Sequence, residues 1–238
     1  MKTLLVVLLL SSHAFAEETV KQEFDPTGLE SVEVENLFGQ VHVRTLNQGK
    51  VVVLAKKQKF SDKCQLEIKR KDNELEVEVE KKGLLPVNDC QVDFDIQVPK
   101  TVKLEISNGS GDIKVSGIHG ELDYKVGRGT LQADGEFTKV EGKTGFGDVT
   151  IKGLLGGGEV EVGSGKIQLT FTEAKLSGEI EIKTGAGDAT LEFPKGTAVK
   201  TRLLSGTGRL QDELGEDPKA SFKVSMKTGS GNLKIKPF

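Results

Sequence analysis

Two carboxylates, Asp93 and Asp95, are the first residues of this 238-residue chain whose types and spacing could do chemistry. Alternate positions of a strand share a face, so both carboxyls would stand close enough for the paired acid–base work of a glycosidase. The same alternation puts Phe94 on the buried side, and the pair reads equally as the solvated side of an edge strand. His42, on the outward side of a strand, and His119, beside Gly120 at a corner, lack the companions of a nucleophilic site. The chain has no Gly-x-Ser-x-Gly elbow. No catalytic residue is assigned, and the expectation is a protein that is not an enzyme. Cys64 and Cys90 stand 26 positions apart, which matches no CxxC spacing, and no histidine pattern supports them as metal ligands. In an exported chain they are expected to form a disulfide. No metal or cofactor is expected.

The elements that would position these residues come from a repeat. Gly-x-Gly recurs at Gly109/Gly111, Gly127/Gly129, Gly145/Gly147, Gly163/Gly165, Gly185/Gly187, Gly206/Gly208 and Gly229/Gly231. The second glycines are 18, 18, 18, 22, 21 and 23 residues apart. Two residues after each comes an apolar side chain, from Ile113 to Leu233, then a polar one, then an apolar one again, with Asp212 the exception. Leu104/Ile106, Leu122/Tyr124, Val160/Val162 and Ile180/Ile182 alternate in the same way before the turn. Such period-two patterning is a half-buried strand. Each unit therefore reads as strand, glycine turn, strand and corner, and only stacking can bury its apolar face. The fold expected is all-β: a single-stranded β-solenoid of stacked coils of about 18–23 residues, with helix almost absent.

Stacking turns single residues into columns. The residue after the second glycine is in turn Asp112, Thr130, Asp148, Lys166, Asp188, Arg209 and Asn232. A calcium ladder needs oxygen ligands in adjacent coils, and Lys166 and Arg209 interrupt it, so this column is expected to be structural. A dinucleotide site is excluded because a strand, not a helix, follows every glycine turn. Six residues before the first five second glycines stand Glu105, Asp123, Glu141, Glu159 and Glu181. If the register holds, these form an acidic stripe, the candidate binding surface for a cation or basic partner. Lys125, Lys143 and Lys183, two residues on, would neutralise it in a salt-bridge lattice, which is the alternative.

At the N-terminus, Lys2, the apolar run Leu4–Leu10 and Ala14-Phe15-Ala16 read as a signal peptide over 1–16, far too short to span a bilayer. The exported chain would occupy the periplasm, the cell surface or the exterior. A net charge of −3 lacks the basic excess of a nucleic-acid binder. Trp is absent and Tyr124 is the one tyrosine, which speaks against an aromatic carbohydrate platform. Residues 17–103 form an N-terminal β region. Val32–Val43 carries one further copy of the repeat around Gly39, strands follow near 51–53, 66–68, 75–79 and 92–98, and turns fall at Asp72-Asn73 and 86–89. This segment would cap the repeat solenoid of 104–238, whose open end would be the coil finishing at Ile235.

Asn36-Leu37-Phe38-Gly39-Gln40-Val41, Asp95-Ile96-Gln97-Val98-Pro99, and Ser107-Asn108-Gly109-Ser110-Gly111-Asp112-Ile113-Lys114-Val115 with its successors resemble the bacterial DUF4097 β-strand-repeat family. The resemblance spans nearly all of the chain beyond the leader. It implies an envelope or surface location and an adhesin-like label, and some members sit in envelope-stress gene contexts. It supplies no catalytic residues, and the cysteine pair stands outside its pattern. The function expected is thus a non-enzymatic structural or binding role through the solenoid faces, toward an envelope polymer or protein, with end-to-end self-association open. The alternatives are an accessory of envelope-stress signalling and a polysaccharide-acting enzyme using Asp93 or Asp95.

Overall fold

The computed structural model describes residues 18–46, 49–83 and 89–238. The expected leader at 1–16, and 86–88 of the expected turn at 86–89, lie outside the described residues. Among the described residues every regular element is a strand, and none is a helix. The chain forms a β-solenoid.

Its repeating coil has two sides. β8 (Lys103–Ser110) runs into the Gly109–Gly111 turn, and β9 (Ile113–Arg128) leaves it on the opposite side. β9 crosses a corner near Gly117, and its second half lies parallel to β8, with Leu122 beside Leu104 and Tyr124 beside Ile106. β10 (Leu131–Phe146) repeats this path in register with β9. β11 (Val149–Leu154), β12 (Gly158–Ser164), β13 (Ile167–Phe171), β14 (Gly178–Ala186) and β15 (Ala189–Phe193) continue it. Strands before the glycine turns build a first sheet and strands after them a second. Inward residues such as Leu104, Leu122, Val140, Leu131, Ile151 and Leu169 are wholly buried between the two. Corners are filled by aromatics: Phe171 and Phe193 stack at 4.4 Å, and Phe222 meets Phe171 edge-on at 5.5 Å. Tyr124 finds room because Gly142 lies beside it; a Cβ at Gly142 would stand 2.2 Å from the ring.

Both ends depart from chain order. β2 (Ser31–Phe38) and β3 (Val41–Thr45) stack directly on β8 and β9, Val32 beside Leu104 and Val41 beside Ile113. The coil outside them comes from later in the chain: β6 (Glu74–Lys81) lies parallel to β2, and β7 (Cys90–Val98) parallel to β3. Antiparallel strands finish this end. β5 (Cys64–Lys71) closes the first sheet against β6, while β4 (Val51–Phe60) and then β1 (Glu18–Phe24) close the second against β7. Neither sheet breaks at residue 104. The disulfide between Cys64 and Cys90 ties the start of β5 to the start of β7, stapling one sheet to the other across the interior.

The opposite end uses the same inversion. β18 (Phe222–Ser230) and β19 (Leu233–Pro237) insert beside β14 and β15, and β16 (Lys200–Thr207) with β17 (Leu210–Asp212) lies outside them. The open end is therefore the coil finishing at Asp212, not the one finishing at Ile235. This accounts for Asp212 breaking the apolar pattern. Its neighbour in register is the buried Ile235, but at the exposed end it accepts hydrogen bonds from Thr201 Oγ1 at 2.9 Å and from the Leu214 and Gly215 N–H groups. The last inward layer mixes polar Thr201, Ser205 and Asp212 with Leu203 and Leu210, and among the described residues no further strand lies outside it.

Two outcomes test this architecture. Gly165 has φ 150° and would place a Cβ 2.0 Å from the Gly147 carbonyl, whereas Gly196, also at positive φ, faces open space. Gly165→Ala should cost about 3 kcal/mol or more in urea unfolding and Gly196→Ala about 1 kcal/mol; equal losses would deny the backbone contact. Replacing both Cys64 and Cys90 by Ala should cost about 3 kcal/mol by the chain-entropy account.

A candidate binding surface on the first sheet

Alternation sends every second residue of the first sheet to solvent, and parallel pairing in register sets equivalent residues side by side at about 4.8 Å. Glu105, Asp123, Glu141, Glu159 and Glu181 accordingly lie in one lateral row, each beside the next. The inverted N-terminal end lengthens that row: Glu33 stands beside Glu105 and Glu76 beside Glu33. A second row two residues on brings Glu78, Glu35, Ser107, Lys125, Lys143, Glu161 and Lys183 together.

The two halves of this surface differ in charge balance. Along the repeat, Lys103 meets Asp123 at 3.0 Å, Lys139 meets Glu141 at 2.6 Å, and Lys183 bridges Glu159 at 2.9 Å and Glu181 at 3.1 Å. The Lys183 ammonium holds the Glu159 carboxyl below the usual carboxylate range. These exposed pairs contribute little stability each, but they cancel charge. At the N-terminal end, among the described residues, no cation pairs with Glu33, Glu35, Glu78 or Glu105, and Glu76 alone is paired, with Lys71 at 2.7 Å. Partial burial, then Glu105, Glu35, Glu74 and Glu76, push the Glu33 carboxyl up. Burial and Glu80 do the same for Glu78. The uncompensated negative field thus centres on Glu33, Glu35, Glu78 and Glu105. Of these only Glu105 is legible from the repeat. Val32-Glu33-Val34-Glu35 and Leu75-Glu76-Val77-Glu78 carried the strand signal, but chain order hides that β6 stacks on β2.

The other sequence candidates have structural employment. Asp93 accepts the Gln40 N–H at 2.8 Å and the Gln58 amide at 2.9 Å, and Asp95 pairs with Arg44 at 3.1 Å. Both carboxylates tie β7 to its neighbours. His119 Nδ1 lies 2.5 Å from Glu136 Oε2 at an exposed corner. His42 is half-buried beside Asp95 and Lys114, and that burial pushes its imidazole down. In the turn column, Asp112 accepts the Thr130 N–H, Asp148 the Lys166 N–H, and Asp188 the Asn232 N–H, at 2.8, 2.8 and 2.7 Å. Each Asp side chain there closes a backbone donor of the adjacent coil. The one cluster of metal-type ligands among the described residues, Cys64, Asp89 and Cys90, has its sulfurs in the disulfide and offers no thiolate.

The Toastrack DUF4097 family model matches residues 30–236. The chain belongs to the Toastrack DUF4097 family. A provisionally named adhesin from Bacteroides fragilis shares the fold, with a TM-score of 0.52 at 14% identity over 92% of this chain and 97% of its own. A provisionally named cell adhesion protein from Clostridium sporogenes matches with a TM-score of 0.38 at 17% identity, over 93% and 100%. A provisionally named lipid binding protein from Parabacteroides distasonis matches with a TM-score of 0.30 at 11% identity, over 92% and 96%. No curated protein matches the chain. No helix among the described residues of this Toastrack protein is long and apolar enough to cross a membrane.

The raised Glu33 pKa sets a testable sign. A carboxyl whose folded-state pKa is raised weakens the fold once ionised, and that cost disappears when it is protonated. Glu33→Gln should therefore stabilise the protein at pH 7, by about 0.5 kcal/mol for relief of like-charge contact, and the gain should vanish below the ordinary carboxylate range. Thermal melts at the two pH values check this.

Proposed function

We propose that this Toastrack protein is an exported, non-enzymatic surface or envelope protein of adhesin-like role, with residues 1–16 as its leader. It meets its partner over the first sheet, through Glu33, Glu35, Glu78 and Glu105 together with the stripe Asp123, Glu141, Glu159 and Glu181. One observation carries this reading: seven carboxylates from Glu76 to Glu181 stand in one row on a rigid face, and two of the three at its N-terminal end, Glu33 and Glu105, have no ion pair with a described residue. Like charges held at strand spacing repel, so the row gains free energy when a cationic surface or a basic protein covers it. The rigid backbone makes such a contact additive along its length. Asp93 and Asp95 support the non-enzymatic reading, since each is occupied in holding neighbouring strands.

The test is saturable binding of the purified chain to polylysine, isolated peptidoglycan, envelope polysaccharides and whole cells, with and without Ca²⁺. Binding should weaken as salt rises and should fall about tenfold or more when Glu33, Glu35 and Glu105 are changed to Lys. Absence of binding to every surface, or release of shortened sugar products, overturns the reading.

A further inference from the structure

The second sheet also carries charge, with Asp134, Lys152, Glu192 and Lys236 along one outward row. The neighbouring outward row is Lys114, Gln132, Thr150, Gln168, Thr190 and Lys234, each in register with the next. The four central members are uncharged, and their side chains make no hydrogen bond or ion pair with other described residues. On the first sheet Asp123, Glu141, Glu159 and Glu181 are each paired with a lysine; here four consecutive coils hold amide and hydroxyl groups with nothing among the described residues to bond. Over its first three coils the row borders a shallow groove whose other wall is Ser116, Asp134 and Lys152.

We propose that this groove and row form a second binding site, for an extended, uncharged, hydroxyl-rich polymer, a glycan chain lying along the stacking axis. Side-chain amides and hydroxyls both donate and accept, as sugar hydroxyls and acetamido groups do, so the match holds however the polymer is oriented. Parallel pairing repeats the same groups every ~4.8 Å along a straight line, a spacing comparable to the advance per sugar of an extended β-linked glycan. The β-branched threonines lose little side-chain entropy when they bond. A protein partner fits less well. Interfaces rely on buried aromatic and arginine anchors, and none of the exposed large apolar side chains, Phe146, Leu204, Leu210 and Phe238, lies in the row. With no ring to stack on, each sugar contact is weak, and affinity accumulates with chain length.

This goes beyond the surface-binding reading: it adds a second ligand class, on the face opposite the acidic row. The probes are chitobiose, chitohexaose and insoluble chitin, all uncharged, titrated against the full chain. Chitohexaose should bind about tenfold or more tighter than chitobiose, with little dependence on salt, and the double variant Thr150→Arg/Gln168→Arg should lose about tenfold or more. In the unmodified protein the side-chain amide NMR signals of Gln132 and Gln168 should shift on titration, which keeps the test valid if the variant misfolds. No chitohexaose binding, equal affinity for both oligomers, or shifts confined to other faces would overturn the site. Salt-sensitive binding lost only on reversal of Glu33, Glu35 and Glu105 would move the contact to the first sheet. Envelope material that binds while chitohexaose does not would sink this inference and leave the surface-binding reading standing.

Discussion

At each glycine turn the chain rests on the turn of the coil before it with no side chain between them. A Cβ at Gly129, Gly147, Gly165 or Gly187 would stand 2.2, 2.0, 2.0 or 1.8 Å from the carbonyl oxygen of the preceding second glycine. The same positions need positive φ, so conformation and space exclude other residues together. This contact sets the spacing and register of the coils. Once it is fixed, the strands on either side must pair in parallel, the alternating apolar residues must meet between the sheets, and equivalent outward residues must form rows. The column even survives inversion of chain order: Gly231 rests on Gly187, and Gly208 on Gly231.

Inside the turn a polar column supports this stack. Asn36 donates to the Val92 carbonyl, Asn108 to those of Gly39 and Gly111, and Thr228 to that of Gly187. Not every inward polar group is satisfied: the hydroxyls of Tyr124, Thr144 and Thr184 are buried without a partner among the described residues. Such groups weaken the core locally; a slipped register is penalised by the apolar set, which a shift by one residue would send outward. The ends meet a different constraint, since an uncovered solenoid exposes both apolar core and strand edges. One end is closed by antiparallel strands and a disulfide. At the other, Thr201, Ser205 and Asp212 replace core residues, the first and last bonded to each other across the interior, while Leu203 and Leu210 keep the apolar pattern.

The two faces inherit one geometry and different chemistry. Glutamates and lysines on the first sheet make a lattice that is neutralised along the repeat and acidic where β6 and β2 meet. On the second, Gln132, Thr150, Gln168 and Thr190 form a neutral row beside a charged one of Asp134, Lys152, Glu192 and Lys236. Because the sheets are rigid and continuous, each face acts as a row of like contacts, which suits polymers and surfaces better than a small molecule in a closed pocket.

The repeat, the alternation and the predicted row of five carboxylates were legible from residues 104 to 193, because there each coil stacks on the one before it and sequence spacing equals spatial spacing. The copy around Gly39 was legible too, since its strand–Gly–strand pattern is local. Where chain order and stacking order part company, local pattern carries no such information. The acidic field of Glu33, Glu35 and Glu78 arises from β6 lying beside β2, and the open coil at Asp212 from β18 inserting ahead of β16. In each case strand type was written in the residues. The choice of neighbour was made by long-range competition for the exposed edges, which only the folded chain resolves.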